Sequence, residues 1–292
     1  MSLLIPDNNV LLQFVPNVLK SVQGETLLFD KITPHLEVAE AWLTTTFLSE
    51  AVLTELPTRD ANNKLLHYAR MAVVAEAMLH AVPQLDLVLT PNGFGIVSNS
   101  NIAPASKERV ERLLLSLEKM RDDTLAVLLP LLASTEAWAT SDPCLYFEQT
   151  LYPWLDLPRK LGSTEHAWLH YQELHSKLIA IEERLAHDFF SCELLNVLRK
   201  ANLHNDWENT ASAPHYKSAW QHIYAIVLFM LREEEANPPF TSCIEVVNSL
   251  RNTPEGIFEE WKQSETAALF KDYGYKNKKK VADIGFNLLN SV

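Results

Sequence analysis

Seven glycines in 292 residues is a low count against an average usage of about 7%. Nucleotide-binding α/β folds spend glycines at phosphate loops and tight crossover turns, so that class is disfavoured and a mainly helical chain favoured. No G-x-S-x-G elbow, Walker loop or dinucleotide fingerprint occurs. Cysteine is also sparse. Cys144, Cys192 and Cys243 stand alone, with no CxxC spacing for zinc and no disulfide framework. Basic residues are outnumbered, giving a net charge of −12 and a pI near 5.3. That balance opposes a grip on phosphate backbones or anionic lipid. Long apolar runs are missing too, since Ile223 to Leu231 falls far short of the ~20 residues that cross a bilayer. The leader Met-Ser-Leu-Leu-Ile-Pro-Asp has no positive n-region. The expectation is a soluble, cytoplasmic protein or one incorporated in a virion, with no membrane and no specific nucleic-acid partner.

What is present is helical periodicity. Ile32, Leu36, Ala39, Leu43, Phe47 and Leu48 mark one buried face of a helix over Phe29 to Leu53. Leu66, Ala69, Val73, Ala77 and Met78 mark a second, from about Asn63 to His80, stopping before Pro83. Asn92-Gly93 between two short β-prone runs predicts a β-hairpin near 85–97, because both turn residues tolerate positive φ. Ser106 then caps a long helix through Leu117, Leu125 and Leu128 that ends by Pro130 or soon after. Residues 134–162 are rich in proline and aromatics and read as a connector. A fourth helix runs from Ser163 or Thr164 to Phe190. A fifth, from about His215 to Glu235, is apolar enough to be buried almost all round. A short sixth holds Ile244, Val247 and Leu250. Thr253-Pro254-Glu255 signals a seventh that continues through Trp261 and Leu269. The domain reading is a helical unit over 1–133, the connector over 134–162 and a second helical unit over 163–292.

The two halves resemble each other. Shifted by 142 residues, Leu36, Glu40, Leu43, Phe47 and Ser49 fall on Leu178, Glu182, Leu185, Phe189 and Ser191. Slightly larger shifts pair His67-Tyr68 with His215-Tyr216, and Ser106, Glu108 and Val110 with Thr253, Glu255 and Ile257. The order of matches predicts two similar helical units from an internal duplication, the second diverged.

Candidate chemistry is thin. His166 and His170 lie four apart on one helix with Glu165 before and Glu173 after, so one face could offer imidazoles and carboxylates to a divalent metal. The His-Glu-x-x-His spacing is absent, and surface or interface histidines are the simpler reading. Glu40 and Glu182 could be paired carboxylates, but a repeated helix cap or inter-helix hydrogen bond explains them more simply. Glu233-Glu234-Glu235 and the basic run Lys276 to Lys280 read as solvated charge. No catalytic residue, cofactor-binding residue or cofactor is assigned.

The stretch Gly93-Phe94-Gly95-Ile96-Val97-Ser98-Asn99-Ser100-Asn101-Ile102-Ala103-Pro104-Ala105-Ser106-Lys107-Glu108-Arg109-Val110, with the Phe29 to Leu53 helix, resembles an uncharacterised family of proteins from Bacteroidetes and their prophages. The likeness is strongest from about residue 26 to 132. More loosely, the Ala39-Glu40 helix, the apolar second helix and the hairpin look like the unit of phage head-tail connector (neck adaptor) proteins. These resemblances imply a non-enzymatic assembly protein that self-associates or binds protein partners. The alternatives are a metal-dependent helical enzyme using Glu165, His166, His170 and Glu173, or a helical protein that binds a small molecule or peptide at the aromatic connector.

Overall fold

A computed structural model describes residues 2–15, 27–85, 87–90, 93–96, 106–163, 165–207, 212–235 and 237–270. The chain forms two compact units, Met1–Glu148 with Pro153–His175, and Gln149–Tyr152 with Ser176–Val292.

The first unit contains α1 (Asn8–Leu12), α2 (Leu28–Leu43), a π-helical turn (Thr44–Leu48), α3 (Glu50–Glu55), a 3₁₀ turn (Leu56–Thr58) and α4 (Lys64–Leu85). Strands β1 (Leu87–Thr90) and β2 (Gly93–Ile96) follow, paired antiparallel with Leu87 opposite Ile96 and Thr90 opposite Gly93. Next come α5 (Lys107–Ala133), a 3₁₀ turn (Glu136–Trp138), α6 (Asp142–Phe147) and α7 (Leu157–Lys160). Helix α8 (Ala167–Leu185) begins in the first unit and ends in the second. The second unit continues with a π-helical turn (Ala186–Phe190), α9 (Cys192–Leu203), α10 (Ala213–Glu233), α11 (Phe240–Arg251), α12 (Glu259–Lys262) and α13 (Glu265–Leu269).

The core of the first unit is α4, which packs along both α2 and α5. Apolar side chains on several of its faces, among them Leu66, Ala69, Val73, Val74 and Ala77, are buried. Burying each large aliphatic side chain here contributes about 1.5–3 kcal/mol before entropy is charged against it.

Several boundaries differ from the sequence reading. The helix expected over Phe29 to Leu53 is broken after Leu43 by the π turn and restarts at Glu50. The helix expected over Ser163 to Phe190 is broken in the same way after Leu185. Pro83 lies inside α4 rather than beyond its end, while α5 ends at Ala133, soon after Pro130 as expected. Each sits in the last turn, where proline removes one hydrogen bond and few further turns are disturbed. Residues 134–162 are divided between the two units. Trp138 and Phe147 are core residues of the first unit and Leu151 of the second, all fully buried. Helix α10 is buried along one face through Ala219, Ile223, Ile226, Val227 and Met230, while Phe229 is 46% exposed. Its apolar run is therefore wider than the surface that covers it. Thr253 does not start a helix, because its hydroxyl donates back to Leu250 O (2.6 Å) and Phe258 turns the chain at φ 57°. The pairing of Ser106 with Thr253 fails for that reason, and the matching elements lie slightly further along.

Those elements are two locks of the same construction. In the first unit Ser49 adopts φ 80°, its N–H bonds to Thr44 O (2.9 Å), and its hydroxyl accepts from Val52 N to cap α3. In the second unit Ser191 adopts φ 63°, its N–H bonds to Ala186 O (2.8 Å), and its hydroxyl accepts from Leu194 N to cap α9. With ψ of 157° and 149°, both serines occupy a region that side chains rarely enter, at a cost on the order of 1–3 kcal/mol each. Each π turn leaves one phenylalanine carbonyl for an indole. Trp138 Nε1 donates to Phe47 O (2.5 Å), and Trp261 Nε1 donates to Phe189 O (2.9 Å). Beyond each tryptophan a serine repeats the next step. Ser141 and Ser264 donate to the Trp138 and Trp261 carbonyls (2.7 Å each) and accept from Cys144 N and Ala267 N. Phe147 and Phe270 then close on Phe47 and Phe189, with ring centroids 5.5 and 6.0 Å apart.

Replacing Trp138 or Trp261 by phenylalanine keeps most of the apolar volume but leaves a buried carbonyl without its donor. Each variant is expected to lose about 1–3 kcal/mol of stability, read as a lower denaturation midpoint in urea at unchanged helicity. An unchanged midpoint would mean that the indole hydrogen bond carries no weight.

Candidate functional site

Below each lock lies a buried carboxylate that holds a short non-helical segment, here called the strap. Glu40 follows Leu36 and precedes Leu43 on the buried face of α2 and is 8% exposed. It accepts from Ser2 Oγ (2.6 Å), Leu3 N (2.9 Å) and Leu4 N (2.7 Å). Ser2 Oγ in turn accepts from Ile5 N (3.0 Å), and Leu4 O accepts from Arg70 Nε of α4 (2.9 Å). Leu4 and Ile5 are fully buried, and Pro6 follows.

The second unit repeats the plan with other donors. Glu182 on α8 is 0% exposed and accepts from Leu151 N at both oxygens (2.8 and 3.0 Å). Arg199 Nε of α9 also donates to it (2.9 Å). Leu151 O accepts from Asn202 Nδ2 (3.0 Å) and from Trp220 Nε1 of α10 (2.8 Å). Leu151 is fully buried, Tyr152 stacks on Tyr224 with centroids 4.6 Å apart, and Pro153 follows. In each unit a carboxylate reads the strap leucine's N–H and a donor from the helix equivalent to α4 reads its carbonyl. Both main-chain polar groups of the leucine are thereby satisfied away from water.

The carboxylates differ in charge balance. Glu40 is met by three donors and Glu182 by one N–H and a guanidinium. Burial pushes the Glu182 carboxyl up to about 7 despite the opposing pull of Arg199 and the Leu151 N–H.

Of the residues singled out for a metal, His166 and His170 lie side by side, with ring centroids 6.3 Å apart, but each ring has another partner. His166 Nδ1 lies 2.8 Å from Glu118, which raises its pKa above the ordinary value, and His170 Nδ1 is hydrogen-bonded with Ser163 Oγ. Glu165 and Glu173 are exposed. Among the described residues no three of these four place ligand atoms within 4.8 Å of one another. His166 belongs instead to an ion network that the sequence reading missed. Arg121 of α5 reaches Glu76 of α4 (3.0 Å), Glu118 (3.4 Å) and Asp122 (2.8 Å). Asp122 also accepts from Trp168 N (3.1 Å) at the start of α8. Three carboxylates around one guanidinium tie α4, α5 and the head of α8 together. The only sequence signal for it was polar residues recurring on otherwise apolar helix faces.

A cavity of about 670 Å³ opens between α10 and α11, lined by Ala219, Ile226, Phe229, Val246, Leu250 and Phe258 among others, with His222 and Glu245 also bordering it.

A family model described as a family of unknown function, DUF6712, matches residues 15–148, less than half of the chain. The match ends at Glu148, where the first continuous segment of the first unit also ends. No curated protein and no solved structure matches the chain.

With a folded pKa of about 7 against an ordinary 4.5, Glu182 binds a proton in the folded state that the unfolded chain has already released. Stability from this group is therefore greatest below about pH 4.5, declines as pH rises to about 7, and is level above it. Glu182→Gln is expected to flatten the decline, measured as the urea midpoint at about pH 5 and about pH 8. Equal slopes in variant and native protein would show that Glu182 stays ionised throughout.

Proposed function

We propose that the chain is a tandem of two copies of one helical module and that it serves assembly rather than catalysis. The observation that carries this reading is the repeated consumption of the buried polar groups. Glu40 and Glu182 are both committed to strap backbone, and Trp138 and Trp261 are both committed to a π-turn carbonyl. Groups so engaged hold a scaffold and leave no free acid or base for a substrate. Neither the family nor the geometry points to an enzyme. The module boundary at Glu148 coincides with the end of the family match. The likeness to head-tail connector units supplies the kind of assembly, a phage-derived particle, and the net charge of −12 suits a component that lies near DNA without gripping it.

A second reading, a ligand-binding helical protein, is favoured by the apolar cavity between α10 and α11.

Light scattering of purified protein, together with pull-downs against the products of neighbouring genes, separates the two. The expected result is a defined oligomer or capture of a particle component. A monodisperse monomer that captures none of those products would overturn the assembly reading.

A further inference from the structure

We propose that the cavity between α10 and α11 is a binding site for a lipophilic amine, with the ligand's apolar body between the two helices and its ammonium group at Glu245. The proposal rests on the ligand-binding reading given second above, and the assembly reading does not bear on it.

The two units differ at this place. The shift of 148 residues that lays His67-Tyr68 over His215-Tyr216 also lays α4 (Lys64–Leu85) over α10 (Ala213–Glu233) almost end to end. In that register Val74, Ala77 and Ala81 of α4 are buried, whereas His222, Ala225 and Phe229 of α10 are exposed. The following helix accounts for the difference. Helix α5, which packs along α4, has 27 residues, and α11 beside α10 has 12. The shorter neighbour covers less of α10, and the cavity takes up the uncovered stretch, since His222, Ala225 and Phe229 all line it.

Its volume of about 670 Å³ lies within the range of about 300–1,000 Å³ usual for small-molecule pockets. The apolar lining includes Ile226 and Phe229 of α10, Val246 and Leu250 of α11, and Phe258. Phe258 is fixed without a ligand. It is 2% exposed, it is held at φ 57°, its N–H donates to the Tyr216 hydroxyl (3.1 Å), and its ring centroid lies 4.6 Å from that of Tyr216. A wall already in place reduces the ordering cost of binding.

The polar lining sets the chemistry of the ligand's head. Among the described residues no lysine or arginine lines the cavity, and Glu245 is its one carboxylate. His222 Nδ1 donates to Ser218 O (2.7 Å), because a carbonyl only accepts, and the neutral ring is left with Nε2 as an acceptor. A carboxylate and an imidazole acceptor thus come from opposite helices. An ammonium, with three donors and no acceptor, complements them, whereas an anionic head would meet Glu245 with no fixed cation to offset it.

The test uses the full chain and two fluorescent probes with the same dansyl ring system and pentamethylene arm. Dansylcadaverine ends in an ammonium and dansyl-ε-aminocaproate in a carboxylate. Titrations are followed by dansyl emission at about pH 8, above the ordinary histidine range, and at about 0.15 M salt, where charges further than about 8 Å away are screened. The expected result is blue-shifted dansylcadaverine emission and binding on the order of tenfold tighter than that of the caproate. Glu245→Gln is expected to weaken the amine about threefold to fivefold. Ala225→Trp, which fills the cavity from an exposed position, is expected to abolish amine binding at unchanged helicity. Equal affinity for both probes, or an amine affinity untouched by Glu245→Gln, overturns the amine assignment and leaves the ligand-binding reading standing, provided that Ala225→Trp removes the binding. Binding of neither probe, or binding that survives Ala225→Trp, overturns the proposal and the ligand-binding reading with it.

Discussion

A carboxylate closed off from water is tolerable only when other groups supply the hydrogen bonds that water would have made. Glu40 and Glu182 impose that condition on the two units, and much of the nearby architecture answers it. The strap must lie where its N–H groups meet the carboxylate. The next long helix must then bring a donor to the strap carbonyl, Arg70 from α4 in one case and Trp220 from α10 in the other. The helix bearing the glutamate is held at its far end by the π turn, whose freed carbonyl is claimed by an indole of the same unit. Two distant segments of each unit are therefore fastened to the same stretch of chain, one at the carboxylate and one at the turn.

The serines after the π turns show how such a construction tolerates strain. Ser49 and Ser191 have backbone angles that glycine would adopt at less cost. Serine supplies the hydroxyl that caps the following helix, which glycine cannot do. A local penalty is offset by a cap and by the tertiary contacts around the turn, and the balance is struck the same way in both units.

Much of this was legible in the sequence, and the failures have physical reasons. The match of Glu40, Phe47 and Ser49 to Glu182, Phe189 and Ser191 was visible because all three sit on one uninterrupted register. What Glu40 and Glu182 bind was not, because the strap leucines lie 36 and 31 residues away and carry no helical or strand period. Trp138 and Trp261 went unpaired because α11 is shorter than α5 and the stretch before it is shorter too, which changes the spacing from 142 to 123 residues. Thr253-Pro254-Glu255 has the composition of a helix start, yet its hydroxyl was already committed to the preceding helix. His166 and His170 were read as a pair on one helix from their spacing alone, whereas His166 precedes α8 at φ 52°, and Glu118 and Ser163 engage the two rings.

The placement of Gln149–Tyr152 has a consequence for how the gene can be divided. A break before residue 149 leaves the first unit without Pro153–His175, whereas a break at 175 carries the second unit's strap away with the first. No single cut yields two whole pieces. Loss of either stretch alone would leave the remaining unit short of part of its own chain.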